Sequence, residues 1–427
     1  MAYELEGIHT VSTLLFNTFL IPVFFFSFIY YILALRSIFD KKEAVTVKPI
    51  KIKNNELPYV TIQLPTYNES VVLRCAESCL RMSYPKNRYE IIIGDDSTDP
   101  EVSKLIDEFS SRHSDMVKVT RRGTNTGFKP GNLNYMLKHS KGDILVIFDS
   151  DFTAPKDFLR RIVQPFLEDD KVAGVQVEWD FMNEKTNYIS KLSSTLLVFY
   201  YTIIVPINSM AGVPFLFGSG EAVRKDVLLK LGGWNESSRT EDTEYSVRLF
   251  KEGYTIRYLS DLKVNGEVPY TLNGLMSQQK RWAFGNTTAF LNHAKSFLTG
   301  QLTLVQKLMI SYTTYLGYVS NLFLLLFLLF GLVYFFSQPP APIDLNKFFW
   351  ETSRILLVTS GFLLGGTVGL FKKKKTNILL QSVVSILLIG VLISYSVCVG
   401  FLKAIIGREV PWSPVEKEGN IVFVGEA

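Results

Sequence analysis

The sequence predicts an α/β domain, built on a parallel sheet with helices on both faces, that is inserted between membrane-spanning helices. Two observations lead to this prediction. Short apolar runs alternate with helix-like stretches across residues 57–290, which is typical of a parallel sheet. Hydrophobic residues make up 47% of the 427-residue chain, and the longest apolar runs lie before and after this region.

The first apolar run predicts a transmembrane helix over residues 11–36. This run is too long and too aromatic for the core of a signal peptide. Arg36, Lys41 and Lys42 come at its end, and basic residues favour the cytoplasmic side of a membrane. We therefore expect the domain that follows to be cytoplasmic, in an integral membrane protein.

The alternation within residues 57–290 predicts the individual elements of the domain. Strands are expected at residues 59–64, 90–94 and 144–148, and helices at residues 70–82, 101–113, 132–139 and 157–168. Ligands in such sheets bind at the carboxyl ends of the strands. The apolar stretch at residues 190–208 has helical spacing, and predicts an interfacial helix in preference to a buried core helix.

Three more apolar runs, at about residues 308–336, 355–371 and 378–406, predict transmembrane or interfacial helices over residues 305–406. The lysines at residues 372–375 indicate a cytoplasmic turn. A count of four spans would place the C-terminal tail, residues 407–427, outside. The last run is longer than one span needs, however, so its end is also compatible with a position along the membrane interface.

Composition argues against two other classes of protein. The formal net charge is +5, and the basic residues cluster beside apolar runs and are not interleaved with aromatic residues, so a nucleic-acid partner is not expected. The three cysteines show neither a zinc-ligand spacing nor a disulfide framework, which fits a reducing compartment.

Polar residues follow the first two predicted strands. Thr66, Tyr67 and Glu69 come after the first strand, and Asp95 and Asp96 after the second. Side chains at adjacent strand ends can bind a nucleoside, because a carboxylate accepts hydrogen bonds from a base or a ribose hydroxyl. The alternative is that these residues only cap turns and helices.

Asp149 and Asp151 follow the apolar run at residues 144–148 directly. Two carboxylates at this spacing, where a strand ends, can share a divalent cation, and oxygen ligands suit Mg²⁺ or Mn²⁺. Such a cation would neutralise a diphosphate leaving group. A capped turn is again the alternative.

Two later clusters also carry possible chemistry. Glu241 and Asp242 begin a probable helix, where they are either caps or include a general base for a sugar hydroxyl. Gln278 and Arg281 share one helix face, where the guanidinium can bind phosphate, and Trp282 can stack on a sugar. The alternative for this cluster is a basic helix at the membrane interface.

These motifs, taken in order, resemble those of the membrane-bound, inverting family 2 glycosyltransferases, above all cellulose synthase and the cellulose-synthase-like mannan synthases. The motifs are PTYNE at residues 65–69, DDS at 95–97, DSD at 149–151, TED at 240–242 and QQKRW at 278–282. KPGNLN at residues 129–134 and FGSG at 217–220 resemble the family's segments beside the donor and the acceptor. PWSP at residues 411–414 is loosely similar to a tail beyond the last membrane segment.

The resemblance implies a GT-A (Rossmann-like) domain over residues 57–290. It also implies inverting transfer of a sugar from a UDP- or GDP-linked donor to the non-reducing end of a growing polysaccharide, at a cytoplasmic site that uses Mg²⁺ or Mn²⁺. The residues that it implies are Thr66, Tyr67, Glu69, Asp95, Asp96, Lys129, Asp149, Gln278 and Arg281 for the donor, Phe217, Gly218, Ser219 and Trp282 for the acceptor, Asp149 and Asp151 for the metal, and Asp242 with Glu241 for catalysis.

Several alternatives stay open from the sequence. A single transfer to a ceramide- or polyprenol-type lipid would use the same motifs, and a non-catalytic nucleotide-binding transporter or scaffold is a remoter possibility. A glycan or lipid acceptor, membrane lipid and a partner subunit for secretion are all compatible with the chain. The motifs do not specify the donor sugar.

Overall fold

The computed structural model describes residues 2–39, 52–338, 344–411 and 414–420. Lys41 and Lys42 behind the first predicted span lie outside the described residues, as do Trp412, Ser413 and residues 421–427 of the predicted tail.

The strands are β1 (Val60–Thr66), β2 (Tyr89–Asp95), β3 (Val117–Thr120), β4 (Ile144–Ile147), β5 (Val172–Phe181), β6 (Glu221–Arg224) and β7 (Thr255–Gly266). Within the described residues they form one seven-stranded sheet in the order β3-β2-β1-β4-β6-β5-β7. β6 is antiparallel to both of its neighbours, and the other pairs are parallel. The expectation of an all-parallel sheet is thus corrected at β6, whose sequence EAVR has charged residues at both ends and gives no apolar run like that of β4.

The helices are α1 (Ala2–Phe39), α2 (Val72–Leu80), α3 (Pro100–Arg112), α4 (Phe128–His139), α5 (Phe158–Ile162), α6 (Gln164–Glu168), α7 (Tyr188–Phe199), α8 (Val205–Met210), α9 (Lys225–Lys230), α10 (Glu241–Lys251), α11 (Leu272–Thr299), α12 (Leu304–Ser311), α13 (Gly317–Phe336), α14 (Leu345–Thr359), α15 (Gly361–Lys372) and α16 (Leu379–Ile405). Short π-helical segments join α7 to α8 and α12 to α13. The strands and helices predicted before residue 170 are present with small shifts of their ends, except that the helix expected at residues 157–168 is divided into α5 and α6. α4 begins four residues earlier than expected, because Gly127 adopts a left-handed conformation that starts the helix.

Alternating side chains bury the two faces of the sheet in separate cores. Ile91 and Ile93 of β2 pack in one hydrophobic cluster with residues of α2, α3, α5 and α6, and Ile92 packs in the other with residues of α4, α9 and α10. This alternation is the period-two pattern of strands covered on both sides. Helices on both faces of a mixed sheet confirm the α/β prediction.

Four helices among the described residues are long and apolar enough to cross a membrane, namely Glu6–Phe39, Tyr188–Met210, Leu304–Phe336 and Thr376–Ile405. The pair α14 and α15, bent by 62°, adds a fifth if it is one broken span. The segment for which an interfacial helix was predicted, residues 190–208, is therefore also a candidate span by length and composition, although 67% of its apolar window is buried within the protein. How these helices sit in a bilayer stays a prediction.

Candidate active site

A cleft opens where β1 and β4 end, and most of the predicted site residues meet in it. Those that line it are Thr66, Tyr67, Glu69, Asp96, Lys129, Asp149, Asp151, Phe217, Gly218, Glu241, Asp242, Gln278, Arg281 and Trp282. These residues are separated by up to about half of the chain, so their convergence comes from the fold and not from sequence proximity.

Two predicted site residues lie behind the lining of the cleft. Asp95 is buried, and it accepts hydrogen bonds from Ser103 Oγ (2.8 Å) and Arg121 Nε (2.8 Å). Ser219 is also buried, and its hydroxyl accepts a bond from the Asp149 backbone N–H (3.0 Å). Asp95 is thus held by the protein itself, and Ser219 contacts the site through the Asp149 backbone and through Trp179, whose indole donates to its carbonyl.

The part of the cleft formed by the ends of β1, β2 and β4 is here called the donor side. On it, Asp96 is clamped by the Arg122 guanidinium, with Nε–Oδ1 and Nη2–Oδ2 distances of 3.0 and 2.6 Å. The two side chains of this pair are 5% and 9% exposed. A fork of this kind fixes the orientation of a carboxylate, so Asp96 presents its remaining acceptor capacity to the cleft.

Each carboxylate of the Asp149–Asp151 pair contacts a different lysine. Asp149 Oδ1 is 2.7 Å from the Lys129 ammonium, and Asp151 Oδ1 is 2.9 Å from the Lys417 ammonium. Asp151 is 1% exposed, and its Oδ2 accepts from the Glu267 backbone N–H at 3.0 Å. The negative charge at the end of β4 is therefore balanced by one lysine on each carboxylate.

Glu69 adds a third acidic group next to this pair. Burial raises the pKa of Glu69 to about 7, and the nearby Asp151 and Asp149 carboxylates act in the same direction, against Lys417 and a hydrogen bond from the Ser150 hydroxyl. Acidic groups that crowd one point raise one another's pKa values. This end of the cleft is thus suited to a cationic ligand.

The carboxylates at the end of β4 are the candidate ligands for a metal ion. Over the described parts of the chain, no point is surrounded by three or more His, Cys, Asp or Glu ligands. Asp149 and Asp151 nevertheless supply hard oxygen donors, which fit Mg²⁺ or Mn²⁺. Divalent ions at phosphate sites commonly complete their coordination with phosphate oxygens and water, so two carboxylates are a suitable protein contribution.

The part of the cleft formed by the Phe217–Gly218 loop, the start of α10 and the face of α11 is here called the acceptor side. Asp242 lies on it in the first turn of α10, and its Oδ1 accepts from the Thr243 backbone N–H at 2.8 Å. The pKa of Asp242 is raised to about 7, first by burial and then by the Glu241 carboxylate. A carboxyl with this pKa can accept a proton near neutral pH.

The helix α11 brings the last predicted cluster to the same place. A Cβ on Gly285 of α11 would lie 2.6 Å from Thr240 Oγ1, so α11 packs directly against the start of α10. Arg281 therefore lies close enough to Asp242 to lower the pKa of that carboxyl, although burial raises the same pKa by more. Arg281 Nη1 also donates a hydrogen bond to the Arg239 carbonyl at 3.4 Å.

Sequence reasoning missed several residues of the cleft. Trp179 and Phe181 line it from the end of β5, and the Trp179 indole N–H donates to the Ser219 carbonyl at 2.8 Å. Their spacing of two residues on a strand was the available signal. Lys417 had no such signal, because the tail segment 414–420 reaches the cleft only through the fold.

The tail segment 414–420 is held by Glu267, which follows β7 directly. The Glu267 carboxylate accepts from the backbone N–H groups of Glu418 (2.7 Å) and Gly419 (3.1 Å). Its Oε1 also accepts from Arg74 Nη2 at 2.6 Å. The C-terminal tail thus forms part of the wall of the donor side.

Comparisons with known proteins bear on the family of the chain. The family model for "Glycosyl transferase family group 2" matches residues 144–366. Glucomannan 4-beta-mannosyltransferase 7 of Arabidopsis thaliana is 35% identical over 237 residues, which are 53% of this chain and 42% of that protein. Beta-monoglucosyldiacylglycerol synthase of Trichormus variabilis is 31% identical over 245 residues, 57% of this chain and 52% of that protein.

A solved structure shows the same fold over nearly the whole chain. Mannosyltransferase PcManGT from Pyrobaculum calidifontis, in complex with GDP-Man and Mn²⁺, superimposes with a TM-score of 0.64 at 19% identity, and covers 95% of this chain and 100% of that one. At 19% identity this likeness shows the fold alone.

Fold and cleft together define a glycosyltransferase domain of the GT-A class that is attached to apolar helices. The family model covers more than half of the chain, and the chain belongs to the family 2 glycosyltransferases. The resemblance to the cellulose-synthase-like members is thereby confirmed. The chain spans about half the length of the relatives that it matches, 42% and 52% in the two cases above.

Proposed function

We propose that the protein transfers a sugar, with inversion, from a nucleotide-diphosphate sugar to the non-reducing end of a growing glycan at the membrane. The observation that carries the proposal is the convergence of Asp151, Asp242 and Arg281 in one cleft. If these groups lay on unrelated faces, the transfer chemistry that the motifs imply would be impossible.

On the donor side, Asp96 would bind the nucleoside end of the donor, and Asp149 and Asp151 would hold a divalent cation on the diphosphate. The relative solved with GDP-Man and Mn²⁺ supports a divalent cation in general. When bound, the cation would neutralise charge on the departing nucleotide. Arg281 and Gln278 would bind phosphate oxygens from the opposite wall.

On the acceptor side, Asp242 would take the proton of the attacking hydroxyl. Its raised pKa suits this role, because a base works best when its pKa lies near the working pH. Attack from the face opposite the nucleotide inverts the anomeric centre in one step, so no covalent enzyme intermediate is needed. Phe217, Trp282 and the additional Trp179 would support the terminal sugar of the acceptor by stacking.

We propose a cytoplasmic position for the cleft. The Lys372 ammonium at the end of α15 donates to the Ser37 carbonyl near the end of α1 at 2.6 Å. Lys375, three residues later, pairs with Asp180 of the catalytic domain at 2.6 Å. The lysine turn, the end of α1 and the catalytic domain therefore share one side of the membrane, and basic residues favour the cytoplasm.

We also propose that α16 lies along the cytoplasmic interface and does not cross the bilayer. α16 begins beside the lysine turn, and the tail segment 414–420 beyond it lies at the cleft, where Lys417 contacts Asp151. A helix with both ends on one side has not crossed. A Cβ on Gly400 would lie 2.2 Å from the Lys280 carbonyl oxygen, so α16 packs closely against α11. Its exposed side chains, available to lipid, include Leu380, Leu387 and Leu388.

A donor screen on the purified protein in detergent or nanodiscs tests the proposed function. UDP-glucose, UDP-N-acetylglucosamine and GDP-mannose would each be supplied with Mn²⁺ or Mg²⁺, and nucleotide release and product linkage would be measured, with Asp242→Asn as the control. We expect one donor to give a β-linked glycan product that the control does not make. A product with a single sugar on a lipid would mean that the acceptor is a lipid and not a glycan. No turnover despite tight nucleotide binding would favour a non-catalytic nucleotide-binding protein. A requirement for a second subunit would appear as turnover only in native membranes.

A further inference from the structure

Lys129 lies where the donor side and the acceptor side of the cleft meet. Its ammonium is 2.7 Å from Asp149 Oδ1 and 3.2 Å from Glu241 Oε1, and it donates a hydrogen bond of 2.6 Å to the Gly218 carbonyl. A lysine ammonium has three hydrogens to donate. The contact with Gly218 is a hydrogen bond and the other two are ion pairs, so three protein oxygens from separate elements surround the ammonium.

The partners of Lys129 belong to three separate elements of the site. Asp149 follows β4, Glu241 begins α10 beside the proposed base, and Gly218 is in the loop before β6. Gly218 has φ of 82°, and a Cβ at this position would lie 3.0 Å from the Lys129 ammonium and 3.2 Å from Asp242 Oδ2. The lysine, the loop and Asp242 are therefore packed against one another.

The charge of Lys129 is held in place by the acidic groups around it. The ammonium lies 2.7 Å from an Asp149 oxygen and 3.2 Å from a Glu241 oxygen, so two carboxylates balance its charge. Glu221, whose Oε2 accepts from the Gly218 backbone N–H at 2.8 Å, has a pKa raised to about 8 by burial and then by Asp242. Gly218 is thus held through its carbonyl by Lys129 and through its N–H by Glu221.

We propose that Lys129 is a positioning residue for sugar transfer, which holds the Gly218 loop and the Glu241–Asp242 pair in register with Asp149 and does not bind the donor diphosphate. This inference rests on the proposed function, and it departs from the donor-binding role that the family resemblance implies for Lys129. Its consequence is that loss of Lys129 disorders the acceptor side and leaves nucleotide binding largely intact.

The chain offers a matched control in Lys417. Both lysines neutralise a carboxylate of the Asp149–Asp151 pair, at 2.7 and 2.9 Å. The Lys417 ammonium has no described contact with the Gly218 loop or with α10, whereas Lys129 contacts both. A change seen in Lys129→Met and absent from Lys417→Met is therefore not a general effect of removing a lysine from this pair.

The first measurement is binding of UDP and GDP, each with Mn²⁺, to wild type, Lys129→Met, Lys129→Arg and Lys417→Met. We expect Lys129→Met to weaken the affinity for the preferred nucleotide by less than about threefold. A lysine that bound the diphosphate would cost roughly 10- to 100-fold, because charge-assisted hydrogen bonds to phosphate would be lost. A loss of that size overturns the inference, and this measurement needs no turnover.

The second measurement separates the acceptor from the donor in steady-state transfer, with GDP-mannose and a soluble β-1,4-linked manno-oligosaccharide as probes. We expect Lys129→Met to lower kcat over the acceptor KM by about 100-fold or more, with an unchanged donor KM, because small misplacements of reacting groups cost this much. Lys129→Arg should recover part of the loss, since it keeps the charge with a different geometry. Unchanged acceptor kinetics in Lys129→Met, or a loss in that variant that falls on the donor KM instead, overturns the inference. Wild-type enzyme without transfer from any donor would instead count against the proposed function.

Discussion

The donor side and the acceptor side of the cleft are built in different ways. On the donor side, Asp96 is paired with Arg122 and Asp151 with Lys417, and only Glu69 beside them has a pKa raised to about 7. On the acceptor side, Asp242 lies among other acids and has a pKa raised to about 7, mainly by burial. A carboxylate paired with a cation is suited to binding a metal ion or a hydroxyl, whereas a carboxyl with a raised pKa is suited to proton transfer.

The two sides also differ in their relation to the apolar helices. The donor side stands on the ends of buried parallel strands and on the tail segment 414–420. The acceptor side includes Leu197 from α7 and Trp282 from α11, and both of these helices pack against α16. With α16 at the interface as proposed, a substrate on the acceptor side would be closer to the membrane, which fits the glycan or lipid acceptor proposed above. The following predictions separate the two sides.

The largest effect is expected on the acceptor side, from Asp242→Asn. The amide keeps the shape of the side chain but cannot take a proton, so transfer should fall by about a thousandfold, within the usual range for general base catalysis. Binding of the donor nucleotide with Mn²⁺ should be unchanged within error. Transfer rates and nucleotide affinities of the two proteins give the comparison, and wild-type turnover in the variant would assign the base elsewhere.

The next effect is expected on the donor side, from Asp151→Asn. Loss of this carboxylate should weaken Mn²⁺-dependent nucleotide binding by about 100-fold, by analogy with the cost of disturbing metal sites. Asp107→Asn is the control, because Asp107 is an exposed partner of Arg121 away from the cleft. Titration calorimetry with and without Mn²⁺ measures both, and an unchanged metal dependence in Asp151→Asn would mean that another group holds the cation.

A smaller effect is expected from pH. Transfer requires the ionised form of Asp242, so kcat over KM should rise about tenfold per unit up to pH of about 7 and then level off. The charged and titratable groups that face Asp242 are Glu241, Lys129, Arg281, Glu221, Tyr200 and Tyr318. Glu69 titrates in the same range on the donor side, so Glu69→Gln is the control. If the rise of kcat over KM with pH disappears in Glu69→Gln, the titrating group is Glu69 on the donor side and not Asp242.

The same contrast explains what the sequence could predict. The apolar run before Asp149 and the short motifs around Thr66 and Asp96 are local patterns, and most of the donor side could be assigned from them. Lys417 could not be assigned, since its contact with Asp151 joins residues far apart in the sequence. β6 has only two apolar residues, so no strand pattern appears in the sequence, and its antiparallel direction follows from the path of the chain.

Membrane helices show the same limit. The run at residues 378–406 has the composition of a span, and composition alone cannot tell a helix in the bilayer from one along its surface. The position proposed for α16 depends on what its two ends contact, which only the folded chain shows. Asp95 and Ser219 show the same limit. Each is buried behind the cleft, whereas the adjacent residue of its motif, Asp96 or Gly218, lines it.

The smallest effect is expected from Gly218→Ala, which tests whether the acceptor loop must lie close to Lys129 and Asp242. Gly218 and Gly253 both have positive φ, 82° and 76°, but only at Gly218 would a Cβ meet other groups, at 3.0 and 3.2 Å. Each alanine should cost about 1–2 kcal/mol of stability through the left-handed backbone. Gly218→Ala should in addition lower transfer by up to about tenfold, since a displacement of a few tenths of an ångström is smaller than those that cost a hundredfold. Thermal unfolding and transfer rates are the measurements. If Gly253→Ala slows transfer as much as Gly218→Ala, the loss comes from backbone strain, and the close packing of the loop against the base plays no part in the reaction.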